Sequence, residues 1–474
     1  MRQVELFIDG AWRQGGAPRP VFNPADESTV AMLATATAAE LDRALAAAVA
    51  GFRHWRTRPA LERGQVLRRA AEIIAANSTA WARELTEENG KTLAESAGEI
   101  ARAVETFQWC AEEATRIEGR SIAGRAPGQR RLLLPQPLGP VAAFTAWNFP
   151  AVLVARKLGA ALAAGCSVVL KAAEETPTIA ARIVGALAEA GLPAGVVNLV
   201  FGDPPAISRH LLASPAIRKL SFTGSTAVGK QLAALAAADL KRCTFELGGH
   251  APAIVAADAD LELAVATTLA GKFGSAGQSC VAPSRFYVHE SLYEAFLERF
   301  VAGAKAIVVG DGTEQGVRMG PLANPRRLAA MQRLTADALQ RGARLLLGGE
   351  RLPRKGWFFP PTVLAEVPEE ALVMNEEPFG PIVPVASFQD LDEAYARANR
   401  LSYAFAAYVF TRSLQTAAEA SERIEAGNFG INQLAPSLPD APVGGLKHSG
   451  YGYEGGREGL AEFVHWRLVN ESLG

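Results

Sequence analysis

From residue 138 to residue 247, short apolar runs alternate with helix-like stretches, and this alternation restricts the chain to few folds. Val141-Ala142-Ala143-Phe144 reads as a buried strand and 151–164 as a helix. Strands at 167–170, 196–201 and 219–222 then alternate with helices at 178–190, 205–212 and 226–238. Strand–helix–strand units of this kind build a parallel sheet with helices on its faces. Such sheets bind ligands at the carboxyl ends of their strands. Asn148, Lys171, Glu174, Gly224, Ser225 and Glu246 all fall at those ends. A second series follows, with helices at 260–273, 291–304, 326–341 and 390–399 and strands at 285–288, 382–387 and 405–410. At 474 residues the chain is too long for one ordinary core, so more than one domain is expected.

Upstream, 40–56 and 60–85 carry apolar and charged residues at helical spacing and read as two surface helices. The acidic run Glu84, Glu87, Glu88 reads as a solvated helix face. Two segments, 120–134 and 461–469, look like single strands with nothing local to pair with. Orphan strands of that kind often complete the sheet of another subunit.

Charge and cysteine usage exclude several classes. A formal net charge of −1 gives no basic field for nucleic acid or an anionic membrane surface. Residues 132–155 carry no formal charge, but Pro135, Pro137, Pro140 and Pro150 interrupt them, which argues against a membrane span. The N-terminus lacks the pattern of a secretory signal. Four scattered cysteines and six histidines show no metal-ligand spacing, so no metal is expected and a reducing, cytoplasmic location is. Gly224-Ser-Thr-Ala-Val-Gly229-Lys230-Gln231 approaches a phosphate-binding loop, yet Gln231 stands where a magnesium-binding hydroxyl belongs. Its glycine turn still suits a helix N-terminus facing a pyrophosphate.

Two glycine-flanked residues carry the candidate chemistry. Cys280, in Gly277-Gln278-Ser279-Cys280, lies 34 residues after Glu246, in Glu246-Leu247-Gly248-Gly249. A cysteine there is either a small buried hydrophobe or a nucleophile whose carboxylate partner activates water. Asn148 sits among apolar residues before a helix, where its amide either caps that helix or serves a ligand. Lys171 and Glu174, at a strand end, could bond ribose hydroxyls or form a solvated loop pair.

Together these residues resemble the aldehyde dehydrogenase superfamily from about Phe7 to the C-terminus. The likeness rests on Trp147-Asn148-Phe149-Pro150, Lys171 to Pro177, Phe222-Thr223-Gly224-Ser225-Thr226, Glu246-Leu247-Gly248-Gly249, Gly277-Gln278-Ser279-Cys280, Glu377-Pro378-Phe379-Gly380-Pro381 and Pro442 to Gly450, in this order. The resemblance implies an α/β fold with a Rossmann-like cofactor domain (1–119 and 138–247), a second α/β catalytic domain (248–445) and a β oligomerisation arm (120–137 and 456–474). It implies a homodimer or homotetramer. It makes Cys280 the nucleophile, Asn148 an oxyanion donor and Glu246 the general base for thioester hydrolysis. It assigns Trp147, Lys171, Glu174, Gly224, Ser225, Glu377 and Phe379 to a nicotinamide cofactor. Glu174 beside the adenosine ribose favours NAD over NADP, because a carboxylate repels a 2′-phosphate.

Within the family the sequence is nearest to bacterial NAD-dependent succinate-semialdehyde dehydrogenases. Arg156, one turn after Phe149-Pro150, matches one of two carboxylate-binding arginines of that group, and Ser437 lies in a loop similar to its substrate loop. Phe149 belongs to the same expected substrate site. Gly274-Ser275 stands where those relatives often carry Arg-Asn, so the second arginine is missing. Arg156 then either anchors a substrate carboxylate or makes a structural ion pair. The alternative is a broad-range aliphatic or aromatic aldehyde dehydrogenase. A CoA-acylating member and a non-catalytic structural relative fit less well, because Glu246, Asn148 and Cys280 are all present.

Overall fold

A computed structural model describes residues 1–434 and 437–472. The first strand–helix series forms an eight-stranded sheet in the order Gly450–Tyr451, Arg242–Glu246, Lys219–Thr223, Pro140–Phe144, Ser167–Lys171, Val197–Val200, Leu6–Ile8, Ala11–Arg13. Its five central strands are parallel. From Pro140–Phe144 the chain builds outward on one side, then returns to add Lys219–Thr223 on the other. That reversal opens a crevice at the carboxyl ends of these two strands, just before Thr145 and Gly224.

The second series forms a seven-stranded sheet in the order Arg344–Leu347, Thr362–Ala365, Ile382–Phe388, Pro283–His289, Ala251–Val255, Ala406–Phe410, Asn428–Ile431. Only its Arg344–Leu347 edge strand pairs antiparallel. Each sheet has its own apolar core. One gathers residues from Val4 to Leu247 and takes back Leu460, Phe463 and Val464. The other runs from Ala251 to Val443. The strands and helices expected in both series are present, with ends displaced by a few residues at most.

Three expectations need correction. The single helix over 60–85 is two helices, Ala60–Ala76 and Ser78–Asn89. Asn77 leaves helical geometry at φ −102°, and its side chain bonds back to the Ile73 carbonyl at 2.8 Å, a local competition typical of asparagine. Glu88 is not solvated but buried, where it accepts the Thr178 N–H at 3.0 Å. Glu84 and Glu87 pair with Arg182 and Arg2. The supposed orphan strands pair with each other: Arg120–Ala123, Gln129–Pro137 and Val464–Ser472 form one antiparallel sheet, with Val464 opposite Pro137 and Ser472 opposite Gln129. The end of the expected arm, 473–474, lies outside the described residues.

Helix Pro150–Ala164 is buried along its whole length, Arg156 and Lys157 included. It joins the crevice to the interior of the molecule, so its two cations need partners within reach. Among the described residues no helix is long and apolar enough to cross a membrane.

Candidate active site

The crevice opens into a cavity of about 910 Å³ lined by Trp147, Lys171, Glu174, Glu246, Cys280 and Glu377, among others. Loops of the second series close over the carboxyl ends of the first sheet here, so residues more than 200 positions apart line one cavity.

Cys280 is approached through a strained turn. Ser275, Ala276 and Gly277 take positive φ of 49°, 52° and 73° in succession. A side chain at Gly277 would put a Cβ 2.3 Å from the Gly380 carbonyl oxygen, so only glycine fits. The turn aims Gln278 inward. Its backbone N–H and its Nε2 both donate to the Ser275 carbonyl, at 3.1 and 3.0 Å. Its Oε1 accepts the Ala323 N–H at 3.0 Å. Burial pushes the Cys280 thiol well above its ordinary range, the Glu246 and Glu377 carboxylates add to this, and Arg156 opposes it. The thiol form is thus favoured at rest.

Glu246 ends strand Arg242–Glu246 and is buried. One carboxylate oxygen accepts the Thr223 hydroxyl at 3.0 Å; the other lies 3.9 Å from the Arg156 guanidinium. Its proton affinity is raised, first by burial and next by Glu454, while Arg156, Lys157 and Thr223 oppose. Glu454 is itself paired with Lys157, which also donates to Ser221 at 3.1 Å. A carboxyl tuned upward in this way suits general-base work near neutral pH.

The Asn148 Nδ2 donates to the Gln278 carbonyl at 3.2 Å, which ties the amide to the cysteine loop and leaves its second N–H. Its main chain is fixed from the other side by residues the motifs did not mark. Lys91 Nζ donates to the Asn148 carbonyl at 2.7 Å, lies 4.2 Å from the Phe149 ring centroid and pairs with buried Glu99 at 2.5 Å. Glu99 in turn accepts the Ala151 N–H at 2.7 Å. Phe149 provides no side-chain cap and Pro150 has no N–H, so Glu99 caps helix Pro150–Ala164 from outside.

Arg156 and Ser437 stand together. Arg156 Nη2 donates to the Ser437 carbonyl at 3.0 Å and to its hydroxyl. The Arg156 Nε is buried without a partner among the described residues.

The residues expected to hold a cofactor line the same cavity. Lys171 and Glu174 pair at 2.7 Å, and Glu174 also accepts the Gly202 N–H at 3.4 Å. Ser225 caps helix Thr226–Ala237 at the mouth of the crevice. A Cβ at Gly224 would lie 2.4 Å from the Phe222 ring, so glycine keeps this wall thin. Trp147 and Phe379 stand edge to face, their centroids 5.5 Å apart. Glu377 accepts the Gly249 N–H at 3.0 Å, and burial pushes its carboxyl up to about 7, so near neutrality it can donate as well as accept. Thr145 Oγ1 and Asn148 Oδ1, on residues that line this cavity, are buried without partners among the described residues. Orphaned polar atoms at a cavity wall are what a polar ligand satisfies, and this donor and acceptor set fits a dinucleotide.

Signals for the missed residues did exist. An Arg-Lys pair inside the apolar run 150–164 announces buried charge, which pointed to Lys157 and its partner Glu454. Thr92-Leu93-Ala94-Glu95 is a capping-box pattern, and it marks the start of the helix that carries Glu99. Thr223 lay inside a quoted motif without a role.

A sequence model of the aldehyde dehydrogenase family matches residues 12–469. The chain is 46% identical over 471 residues to a 4-(hydroxymethyl)benzenesulfonate dehydrogenase of Comamonas testosteroni, covering 99% of this chain and 98% of that protein. It is 41% identical over 467 residues to the NADP(+) succinate-semialdehyde dehydrogenase of Escherichia coli, covering 98% and 97%. The crystal structure of a succinate-semialdehyde dehydrogenase from Burkholderia pseudomallei superposes with a TM-score of 0.97 at 41% identity, covering 99% of this chain and 98% of that one.

Proposed function

The chain belongs to the aldehyde dehydrogenase family, and on that premise we propose that it oxidises a short aldehyde bearing a distal anionic group, succinate semialdehyde or a close analogue, to the acid with NAD. Cys280 gives up its proton to Glu246, and its sulfur forms a bond to the aldehyde carbon. The free Asn148 N–H and the Cys280 backbone N–H receive the oxyanion. The nicotinamide, when bound, supplies the hydride acceptor, and loss of hydride leaves Cys280 as a thioester. Glu246, once it has released its proton to solvent, takes another from a water molecule. That water attacks the thioester carbon, freeing the acid and the thiolate.

The observation that carries the substrate class is Arg156, a buried guanidinium beside the reacting pair with an unmet Nε donor. Its Nη2 already holds Ser437. One guanidinium can hold a carboxylate in two bonds. Phe149 and Ser437 complete this end of the site. The names of the Escherichia and Burkholderia relatives support the same class.

Glu174 supports NAD, since its carboxylate disfavours a 2′-phosphate, although the Escherichia relative is named for NADP(+). We assign 1–119 and 138–247 to cofactor binding, 248–445 to catalysis, and 120–137 with 456–474 to oligomer formation. Free cysteines support a cytoplasmic location.

A second reading has its own support. A Cβ built on Gly274 would meet only the Glu95 carboxylate, at 3.8 Å, so no side chain stands in the place of the missing arginine. The Comamonas relative is named for an aromatic sulfonate. An aromatic aldehyde carrying a sulfonate would use the same guanidinium.

NADH formation from succinate semialdehyde, butanal and 4-formylbenzenesulfonate, on wild type and Arg156→Ala, tests these readings. Wild type should prefer an anionic aldehyde, and the variant should lose about 10- to 100-fold more in kcat/KM for it than for butanal, the range of a charged hydrogen bond. If both proteins treat all three alike, the anion reading fails and broad-range oxidation replaces it. Faster turnover with NADP than with NAD would remove the role given to Glu174.

A further inference from the structure

The carboxylate of Glu95 reaches across from the cofactor half of the molecule to the loop that carries Cys280. One of its oxygens accepts the Thr92 N–H and hydroxyl at 2.8 and 2.9 Å, closing the capping box of helix Leu93–Glu113. The other accepts the Ser275 N–H at 2.7 Å. Helix Leu93–Glu113 contributes to the first core, whereas Phe273 and Ala276, which flank Ser275, pack in the second.

Ser275 and Ala276 are not glycines, yet both are left-handed, a backbone region that strains any residue with a side chain. Something must hold them there. Among the described residues the Ser275 hydroxyl has no partner, so the bond to Glu95 is what tethers this residue at its N–H. Beyond it the links run in series. The Ser275 carbonyl fixes Gln278 through two N–H groups. The Gln278 carbonyl then holds the Asn148 amide.

We propose that Glu95 is a positioning residue for the reaction: by holding the Ser275 N–H it keeps the 275–277 turn left-handed, and thereby sets the Gln278 carbonyl, the Asn148 amide and the Cys280 backbone in one geometry. The inference rests on the reading of Cys280 as nucleophile. Releasing Ser275 lets the turn relax toward right-handed backbone, moves Gln278 and spoils the oxyanion site. Displacements of about 1 Å at a reacting centre cost about 100-fold in rate.

The test avoids the unsettled aldehyde by using 4-nitrophenyl acetate. Attack of the Cys280 thiolate on its carbonyl forms a thioester and expels 4-nitrophenolate, so it needs the nucleophile and the oxyanion site alone. Glu95→Ala should acylate about 10- to 100-fold more slowly, with the dissociation constant for NAD, read by fluorescence, within about twofold of wild type. Glu95→Gln, which keeps an acceptor oxygen, should retain most of the rate. Ser275→Gly in the Glu95→Ala background should recover at least about threefold, because glycine takes positive φ without a tether. If Glu95→Ala is insoluble, Glu95→Asp is read in its place; it keeps the charge at the helix start and falls one methylene short of Ser275.

A full acylation rate without Glu95, no recovery with Ser275→Gly, or an equal loss in Thr92→Val would overturn the proposal. Thr92→Val breaks the cap and leaves the tether. Cys280→Ser separates the two readings. If it still oxidises aldehydes, the nucleophile assignment fails; if it is inert while Glu95→Ala is fully active, only the positioning role fails.

Discussion

At the scale of single residues, the chemistry depends on how burial sorts the carboxyls. Glu246 is desolvated and stands near Glu454, so its proton affinity rises. The base form therefore appears only above the ordinary glutamate range near pH 4.3. As pH falls through that raised value Glu246 becomes protonated and thioester hydrolysis stops, so the acid limb of kcat should lie above that range. Glu246→Gln, which can take a proton neither from Cys280 nor from water, should slow the NADH burst and leave a steady rate about 100-fold lower or worse. A variant that keeps the wild-type burst, steady rate and acid limb would remove Glu246 from both proton transfers. The Cys280 thiol is pushed upward by the same carboxylates, so attack requires proton transfer within the site.

At the scale of elements, helix Pro150–Ala164 is the part that joins the cavity, the Glu246 carboxylate and the Ser437 loop. It carries Arg156 toward Ser437 and Lys157 toward Glu454, and Asn148 lies just before it. Its start is held by the buried Lys91–Glu99 pair. Removing one partner strands a buried charge, which costs about 3–5 kcal/mol, whereas an apolar pair of similar volume is often tolerated. Glu99→Ala should therefore lower the thermal midpoint and the turnover rate together, because Ala151 loses its cap and Lys91 its counter-ion. The double variant Lys91→Met with Glu99→Leu should recover the midpoint but not the rate, since the Asn148 carbonyl stays unheld. Recovery of both would show that the pair is needed for folding alone.

At the scale of the whole molecule, the three-stranded sheet of Arg120–Ala123, Gln129–Pro137 and Val464–Ser472 contributes only Val464 to the first core. Of its described residues only Val464 is buried, while Trp466 and Leu468 are 53% and 52% exposed on one face. A small sheet with no buried face is marginal in water, and Trp466 and Leu468 form an apolar pair two residues apart on it. We expect a homo-oligomer in which a second copy covers this sheet. Trp466→Glu with Leu468→Glu should then reduce the mass seen by light scattering behind size exclusion. An unchanged mass would assign the assembly to another surface.

The periodicity of the sequence was sufficient for the two α/β series, because a strand buried on both faces must be continuously apolar and a helix must repeat at its own pitch. The glycine-bounded motifs around Glu246 and Cys280 were legible for a similar reason: close backbone approach leaves glycine no substitute, as at Gly249 and Gly277. The pairing of the outlying strands was not legible, since Gln129–Pro137 and Val464–Ser472 are joined by hydrogen bonds across more than 300 residues and carry no local signal of register. Nor was the burial of Glu88 and Glu99 on their helices, or of Lys91 in the turn between them. On a helix a charged residue reads as solvated, and only the elements packed over it decide otherwise. Whether Arg156 meets a substrate or a neighbour was open in the same way. The local sequence specified a guanidinium in an apolar helix, and the tertiary structure alone decided that Glu246 and Ser437 would stand beside it.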